Sequence, residues 1–180
     1  MEKYPDSIEV LSSKKIFDGK ILNLRLDTIM TKDGKRARRE VIEHRPAVVI
    51  IPVDDEENVI LVKQYRHPIG LDLLEAPAGL IEDGEEPDDA AMRELREETG
   101  YASRNLRLLG GFWSSPGFTD EYLYGYLAKD LFHSQLPMDE DEEITLVRIP
   151  MQKVKKLIRV GEIQDAKTIT MLLLAIHVFT

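Results

Sequence analysis

The segment spanning residues 79–101 reads GLIEDGEEPDDAAMRELREETGY, and it predicts a loop followed by a helix. Proline is favoured at the first helical position, acidic side chains suit the first turn, and glycine commonly ends a helix. Pro87, the acidic pair Asp88 and Asp89, and Gly100 stand in that order. We therefore expect a helix over residues 87–99, introduced by a loop that is rich in acidic residues.

Three glutamates of this helix share one face. At about 100° per residue, Glu97 lies near −60° and Glu98 near +40° from Glu94, so their carboxylates occupy an arc of about 100°. Like charges at these spacings destabilise a helix, and a sequence tolerates them on a solvated face or relieves them with a cation. Both interpretations are open for the three carboxylates alone. If a cation binds, oxygen-only ligands favour Mg²⁺ or Mn²⁺ over Zn²⁺.

The wider pattern of this segment is more specific than its carboxylates. A glycine is followed after five residues by glutamate, and after seven more by Arg-Glu, an aliphatic residue, any residue, Glu-Glu, any residue, glycine and an apolar residue. The matching positions are Gly79, Glu85, Arg93, Glu94, Leu95, Glu97, Glu98, Gly100 and Tyr101. This pattern resembles the Nudix box, although aliphatic residues are commoner than tyrosine at the last position.

The resemblance implies a metal-dependent hydrolase that cleaves a nucleoside diphosphate linked to another group, on an α/β/α sandwich with a mixed sheet. Carried over by position, it makes Glu94 and Glu98 metal ligands together with the backbone carbonyl of Ala78. Glu97 becomes a ligand of an additional metal and, with Arg93, part of the catalytic set. The implied cofactor is Mg²⁺, for which Mn²⁺ can substitute.

Two further segments resemble ADP-ribose pyrophosphatases within this family. The sequence EAPAG at 75–79 matches the entry to the box, and VKQYRH at 62–67 contains Arg66 at the place of a phosphate-contacting arginine. By themselves, these residues have ordinary explanations, such as an arginine paired with a nearby acid. Together they favour ADP-ribose as the substrate. One alternative is an enzyme of the same kind that acts on a GDP-sugar or a UDP-sugar. The other is a module that senses ADP-ribose without cleaving it.

Downstream of the box, SSPGFTDE at 114–121 resembles the Ser-Pro-Gly segment of the same enzymes. Seen alone, Pro-Gly is an ordinary turn signal. The resemblance makes Ser115, Gly117 and Glu121 candidate substrate-binding residues.

A second acidic run, DEDEE at 139–143, precedes a predicted strand. Such runs are commonly solvated loops. In the family that the sequence resembles, a glutamate at this place acts as catalytic base or as a further metal ligand. Glu142 matches best, with Glu140 and Glu143 as alternatives. A glutamate is ionised at neutral pH, so it can accept a proton from an attacking water.

Residues 1–44 predict a small N-terminal antiparallel sheet, and residues 45–180 the hydrolase domain. Strands are expected over residues 10–17, 20–31 and 35–44, with turn signals between them. A sheet of this size is not stable alone. The basic patch in the last of these strands has two interpretations. It is either the charged surface of an edge strand or, by resemblance, the part of a domain-swapped homodimer in which Arg39 and Glu40 bind substrate.

The remaining sequence predicts alternating strands and helices. Strands are expected over residues 47–53, 58–65, 71–77, 106–113, 122–128 and 144–149, and helices over residues 151–160 and 166–179. This order is typical of an α/β layered fold.

Composition excludes several classes of protein. The chain has 180 residues, a formal net charge of −9 and no cysteine. An acidic chain is not expected to bind nucleic acid, and no apolar run approaches the ~20 residues of a membrane span. The first residues resemble no secretory signal, and the absence of cysteine fits a reducing cytoplasm.

Overall fold

The computed structural model describes residues 8–138 and 143–179 and divides the chain into two compact units. The first unit holds the chain up to Arg45 together with Trp113–Tyr122. The second unit holds Pro46–Phe112 and the chain from Leu123 onwards. The segment Trp113–Tyr122 was expected in the larger domain, and its grouping with the N-terminal strands is a feature that the sequence did not predict.

The first unit is built on a three-stranded antiparallel sheet in the order β1-β2-β3. Its strands are β1 (Glu9–Asp18), β2 (Leu22–Met30) and β3 (Arg36–His44). Every residue of β1 is exposed, including Phe17 at 56%. The predicted N-terminal antiparallel sheet is therefore confirmed, and one of its outer strands has large apolar side chains that the described residues of the chain leave exposed.

Backbone hydrogen bonds attach the segment Trp113–Tyr122 to β3. The Ile42 amide donates to the Phe118 carbonyl at 2.8 Å, and the Asp120 amide donates to the Ile42 carbonyl at 3.2 Å. The His44 amide also donates to Asp120 Oδ1 at 2.8 Å. Because backbone groups make most of these bonds, side-chain patterns in the sequence do not reveal them.

The second unit alternates strands and helices. Its strands are β4 (Ala47–Pro52), β5 (Asn58–Arg66), β6 (Leu71–Glu75), β7 (Ala78–Leu80), β8 (Tyr101–Trp113), β9 (Tyr122–His133) and β10 (Ile144–Pro150), of which β8 and β9 have one end residue each in the first unit. Its helices are α1 (Pro87–Thr99), α2 (Met151–Arg159) and α3 (Ala166–Phe179). None of the helices in the described ranges is long and apolar enough to cross a membrane.

Two sheets form the centre of this unit. One has the order β7-β4-β9-β8 and contains the parallel pair β4 and β9, and the other has the antiparallel order β10-β5-β6. All six residues of β4 are buried, as expected for a strand that is covered on both faces. Val48 and Ile50 pack with Leu95 of α1, whereas Val49 and Ile51 pack with α3 residues such as Leu172. Helices therefore lie on both faces of β4, and the predicted mixed α/β fold is confirmed.

The ribbon of β8 and β9 is longer than the sequence predicts. β8 begins at Tyr101 rather than at residue 106, and β9 continues to His133 rather than ending at residue 128. Cross-strand pairs explain the extension: the rings of Tyr101 and His133 are 4.6 Å apart, and the guanidinium of Arg104 lies 4.4 Å from the centre of the Phe132 ring. These pairs stabilise a segment whose exposed polar residues hide the strand pattern.

Candidate active site

Helix α1 has the boundaries that the sequence predicts. Pro87 occupies its first turn, and the helix ends at Gly100, which has a left-handed φ of 75° and donates its amide to the Arg96 carbonyl at 3.1 Å. Leu95 is fully buried and fixes the helix on β4. Glu98 lies on the same element and is only 6% exposed, an unusual environment for a carboxylate. Core packing thus sets the direction of the glutamate face.

Arg93 gathers three carboxylates around one guanidinium. Its Nε and Nη2 donate to the two oxygens of Glu85 at 2.9 and 3.0 Å. Its Nη1 donates to Glu94 Oε1 at 2.6 Å and to Glu97 Oε2 at 2.9 Å. Nη2 also donates to the Leu80 carbonyl at 2.9 Å. We call Arg93, Glu85, Glu94 and Glu97 the Arg93 cluster.

The charges of the Arg93 cluster stabilise one another. Hydrogen bonds from Arg93 lower the pKa of Glu85, and the reciprocal bond with Glu85, followed by those with Glu94 and Glu97, raises the pKa of Arg93. Arg93 and Glu85 therefore both remain charged at neutral pH. Arg93 reduces the repulsion that the sequence placed between Glu94 and Glu97.

Strand β7 lies against the glutamates of α1. A Cβ added to Gly79 would lie 2.0 Å from Glu94 Oε1, so the Glu94 carboxylate occupies the space that any larger residue would need. The Ala78 amide donates to Glu98 Oε1 at 3.4 Å. Pairing of Ala78 with Val49 and of Gly79 with Val48 holds this backbone on β4. Two carboxylates of α1 thus converge on the backbone of residues 78 and 79.

Arg66 is tied to a buried carboxylate. Its Nε and Nη2 donate to the two oxygens of Glu75 at 2.6 and 2.8 Å. Lys167 forms a second ion pair with Glu75. Burial opposes ionisation of Glu75, but the bonds from Arg66 and Lys167 outweigh it and hold its pKa below the usual value. No motif in the sequence marks Lys167, because no spacing rule connects two residues so far apart in the chain.

The other predicted substrate residues lie in the first unit. The Ser115 carbonyl accepts from the Phe118 and Thr119 amides, both at 3.2 Å, which forms the turn containing Gly117. Glu121 Oε1 is 3.5 Å from His44 Nδ1. Arg39 and Glu40 are exposed on β3. The structure therefore brings Glu94, Glu97 and Arg93 together in one cluster with Glu98 beside it, and it places Arg39, Glu40, Ser115, Gly117 and Glu121 in the other unit.

The predicted loop base falls outside the described residues. Glu142 and its alternative Glu140 belong to the segment 139–142, so their roles stay predictions. Glu143, the third alternative, is exposed and directly precedes β10.

Residues 43–171 match the family model of the NUDIX domain, and residues 8–42 match that of the nucleoside diphosphate sugar hydrolase N-terminal domain. The chain belongs to the Nudix family. The resemblance that the box indicated is thereby confirmed.

Relatives cover this Nudix chain over most of its length. An ADP-ribose pyrophosphatase from Bacillus subtilis (strain 168) is 38% identical over 162 residues, which are 89% of this chain and 88% of that protein. A methanol dehydrogenase activator from Bacillus methanolicus is 35% identical over 89% of this chain and 88% of that protein. A GDP-mannose pyrophosphatase from Enterobacter sp. (strain 638) is 29% identical over 92% of this chain and 93% of that protein.

A solved structure shows the same fold. The crystal structure of an ADP compounds hydrolase matches with a TM-score of 0.89 and 25% identity, covering 98% of this chain and 96% of that chain.

Nudix hydrolases generally require a divalent metal, and the residues of this site fit such an ion. In the described ranges, no three acidic or histidine side chains already converge as a metal cage. Instead, Glu94 and Glu97 both accept from Nη1 of Arg93. The donor set of Glu94, Glu97, Glu98 and the Ala78 carbonyl contains only hard oxygen ligands, and two of these carboxylates abut the backbone of β7. A divalent cation suits these ligands.

Proposed function

We propose that this protein hydrolyses the pyrophosphate bond of ADP-ribose to AMP and ribose 5-phosphate, using Mg²⁺ or, as a substitute, Mn²⁺. The observation that carries the proposal is the convergence of Glu94 and Glu98 on the backbone of β7, with Arg93 orienting Glu94 and Glu97. The similarity to an ADP-ribose pyrophosphatase over 89% of this chain supports the choice of substrate.

The phosphates of the substrate explain why an acidic protein needs these residues. The formal net charge of −9 repels a pyrophosphate, and a divalent cation, when bound, neutralises the phosphates and promotes attack by water. Glu94, Glu98 and the Ala78 carbonyl would hold this cation, and Glu97 would hold an additional one. Arg93 keeps Glu94 and Glu97 in place.

The proton and bond changes follow from ordinary pyrophosphate hydrolysis. A water oxygen bonds to one phosphorus, the bond from that phosphorus to the bridging oxygen breaks, and the bridging oxygen leaves with the other phosphate. Glu142 accepts the proton that the water loses, and Arg66 binds a substrate phosphate.

Five further residues bind the substrate in this proposal. Ser115, Gly117 and Glu121 form one part of the substrate site, and Arg39 and Glu40 the other. The GDP-mannose pyrophosphatase, which is similar over nearly the whole chain, favours a second candidate, hydrolysis of a GDP-sugar by the same chemistry.

We further propose that residues 1–44 form a dimerisation subdomain and residues 45–180 the catalytic domain of a domain-swapped homodimer in the cytoplasm. The uniform exposure of β1, with Val10 and Phe17 both 56% exposed, supports a partner surface there. An obligate interface of this kind buries more than about 2,000 Å² in total. In the swapped dimer, each active site receives Arg39 and Glu40 from the partner chain.

A substrate panel tests the proposed reaction. Purified protein is incubated with ADP-ribose, GDP-mannose or UDP-glucose, with Mg²⁺ or with EDTA, and phosphate is measured after a phosphatase removes it from the products. We expect fastest release from ADP-ribose with Mg²⁺ and none with EDTA. Fastest release from GDP-mannose selects the second candidate. Tight binding of ADP-ribose without turnover of any compound contradicts an enzymatic role.

A further inference from the structure

One buried carboxylate of the second unit forms ion pairs with two basic side chains. The side chain of Glu75 is 2% exposed, and its oxygens accept both donors of the Arg66 fork at 2.6 and 2.8 Å. Lys167 donates to the same carboxylate, at Oε2. A forked arginine–carboxylate pair fixes the plane of both groups, and the second cation holds the carboxylate itself in place. The orientation of Arg66 therefore depends directly on its bonds to Glu75 and indirectly on Lys167, which holds the Glu75 carboxylate.

Lys167 occupies a position that is electrostatically unfavourable for a cation. It is the second residue of α3, where the helix dipole favours negative charge. Asp165, directly before the helix, lies 3.1 Å from the Lys167 ammonium and accepts the Thr168 amide at 2.9 Å as a helix cap. Ion pairs with Asp165 and Glu75 offset the unfavourable position. Because Lys167 is favourable here only with Asp165 and Glu75 beside it, its ion pair with Glu75 indicates a role beyond forming the helix.

The same turn of α3 also holds the backbone that leads to β7. The hydroxyl of Thr168, a fully buried residue, accepts the Ala76 amide at 2.7 Å and donates to Asp165 at 2.5 Å. Ala76 is two residues before Ala78, whose amide contacts Glu98. The first turn of α3 thus contacts both the residue that orients Arg66 and the link to the proposed metal ligands.

We propose that Lys167 is a positioning residue of the hydrolase: through the carboxylate of Glu75, it fixes the guanidinium of Arg66 in the orientation that binds a substrate phosphate. This inference rests on the proposed function, because phosphate binding by Arg66 is part of it. The Arg66 side chain remains 41% exposed, so a ligand can reach the guanidinium while Nε and Nη2 are engaged with Glu75. In this role, Lys167 itself touches no reacting atom.

A double-mutant cycle on kcat/KM tests the inference. Lys167→Met keeps the aliphatic stem and removes the charge, Arg66→Met removes the guanidinium, and the double variant carries both changes. Because loosening Arg66 weakens phosphate binding, we expect Lys167→Met to lower kcat/KM about tenfold, mainly through KM. We expect Lys167→Arg to recover most of the loss. In the Arg66→Met background, Lys167→Met should have no further effect, since residues that act through one another are non-additive.

The matched control is Lys155→Met on the exposed face of α2, which should leave kcat and KM unchanged. An equal loss of kcat/KM from Lys167→Met in both backgrounds overturns the inference. So does a Lys167→Met variant that melts at a lower temperature while its KM is unchanged. The cycle is run on the sugar nucleotide that the unmodified protein hydrolyses fastest, so a wrong choice of nucleotide does not affect it.

A second measurement needs no substrate and separates this inference from the proposed function. In NMR spectra, the Arg66 Nε–H signal is assigned as the one that disappears in Arg66→Lys. We expect this proton to exchange slowly with water in the unmodified protein and in Lys155→Met, and at least about tenfold faster in Lys167→Met. Unchanged exchange in Lys167→Met overturns the inference. Failure of the unmodified protein to hydrolyse any sugar nucleotide contradicts the proposed function, while this exchange measurement still decides whether Lys167 fixes Arg66.

Discussion

Replacing Glu98 with glutamine removes one charge beside β7 and keeps the size of the side chain. Glu98 is 6% exposed and accepts the Ala78 amide, a bond that the amide oxygen of glutamine can also accept. The substitution therefore tests charge rather than packing. Stabilisation by a bound metal ion contributes several kcal/mol to such a reaction, and about 4 kcal/mol corresponds to a factor of about 10³. We expect Glu98→Gln to lower kcat for ADP-ribose by at least ~10³-fold.

The stability of the same variant should change little. A neutral amide is easier to bury than a carboxylate, so the free energy of unfolding in EDTA should stay within about 1 kcal/mol of the unmodified value or rise. Turnover at saturating Mg²⁺ and urea unfolding measure the two effects. Glu86→Gln is the control, because Glu86 is exposed and makes no side-chain bond at the start of α1. A Glu98→Gln enzyme that retains more than about a tenth of the original kcat would refute the assignment of Glu98 as a metal ligand.

Three further predictions concern strand β7, the Arg93 cluster and the N-terminal sheet. Gly79→Ala places a Cβ 2.0 Å from Glu94 Oε1 and displaces that flexible carboxylate. Calorimetry should find a melting temperature within a few degrees of that of the unmodified protein, while kcat falls about 10²-fold. An unchanged kcat contradicts this prediction. Arg93 holds the pKa of Glu85 below its usual value of 4.5. The charged Glu85 therefore contributes its full stabilisation above pH 4.5, and this contribution is lost as the pH falls through the lower pKa of the folded state. The difference in unfolding free energy between the unmodified protein and Glu85→Gln, measured in EDTA, should shrink below about pH 4. A difference that stays constant with pH contradicts this prediction. Deletion of the residues before Arg36 should abolish dimerisation in light scattering together with hydrolysis, whereas a monomeric native protein with full turnover contradicts the swapped dimer.

The parts of the molecule that were predictable depend on local sequence. Helix α1 is marked at both ends by Pro87 and Gly100, and both boundaries are where the sequence places them. The continuous apolar run of β4 indicated burial on both faces, and all of its residues are buried. The carboxylate face of α1 followed from helical geometry alone, because residues three and four apart necessarily lie close together.

Contacts between distant segments were not predictable from one sequence. Nε and Nη2 of Arg93 both donate to Glu85, because the loop between β7 and α1 folds back toward the helix. No periodicity in the sequence reveals this fold of the loop. Lys167 reaches Glu75 from 92 positions away in the chain. The attachment of Trp113–Tyr122 to β3 is made largely by backbone groups, which every residue type possesses.

The products of ADP-ribose hydrolysis show which bond the protein cleaves. Purified protein is incubated with ADP-ribose and Mg²⁺, and the products are separated by chromatography and identified by phosphorus NMR. We expect AMP and ribose 5-phosphate in equal amounts, no free phosphate, and complete loss of both products in EDTA. Formation of ADP with free ribose, or equal turnover in EDTA, would contradict this expectation.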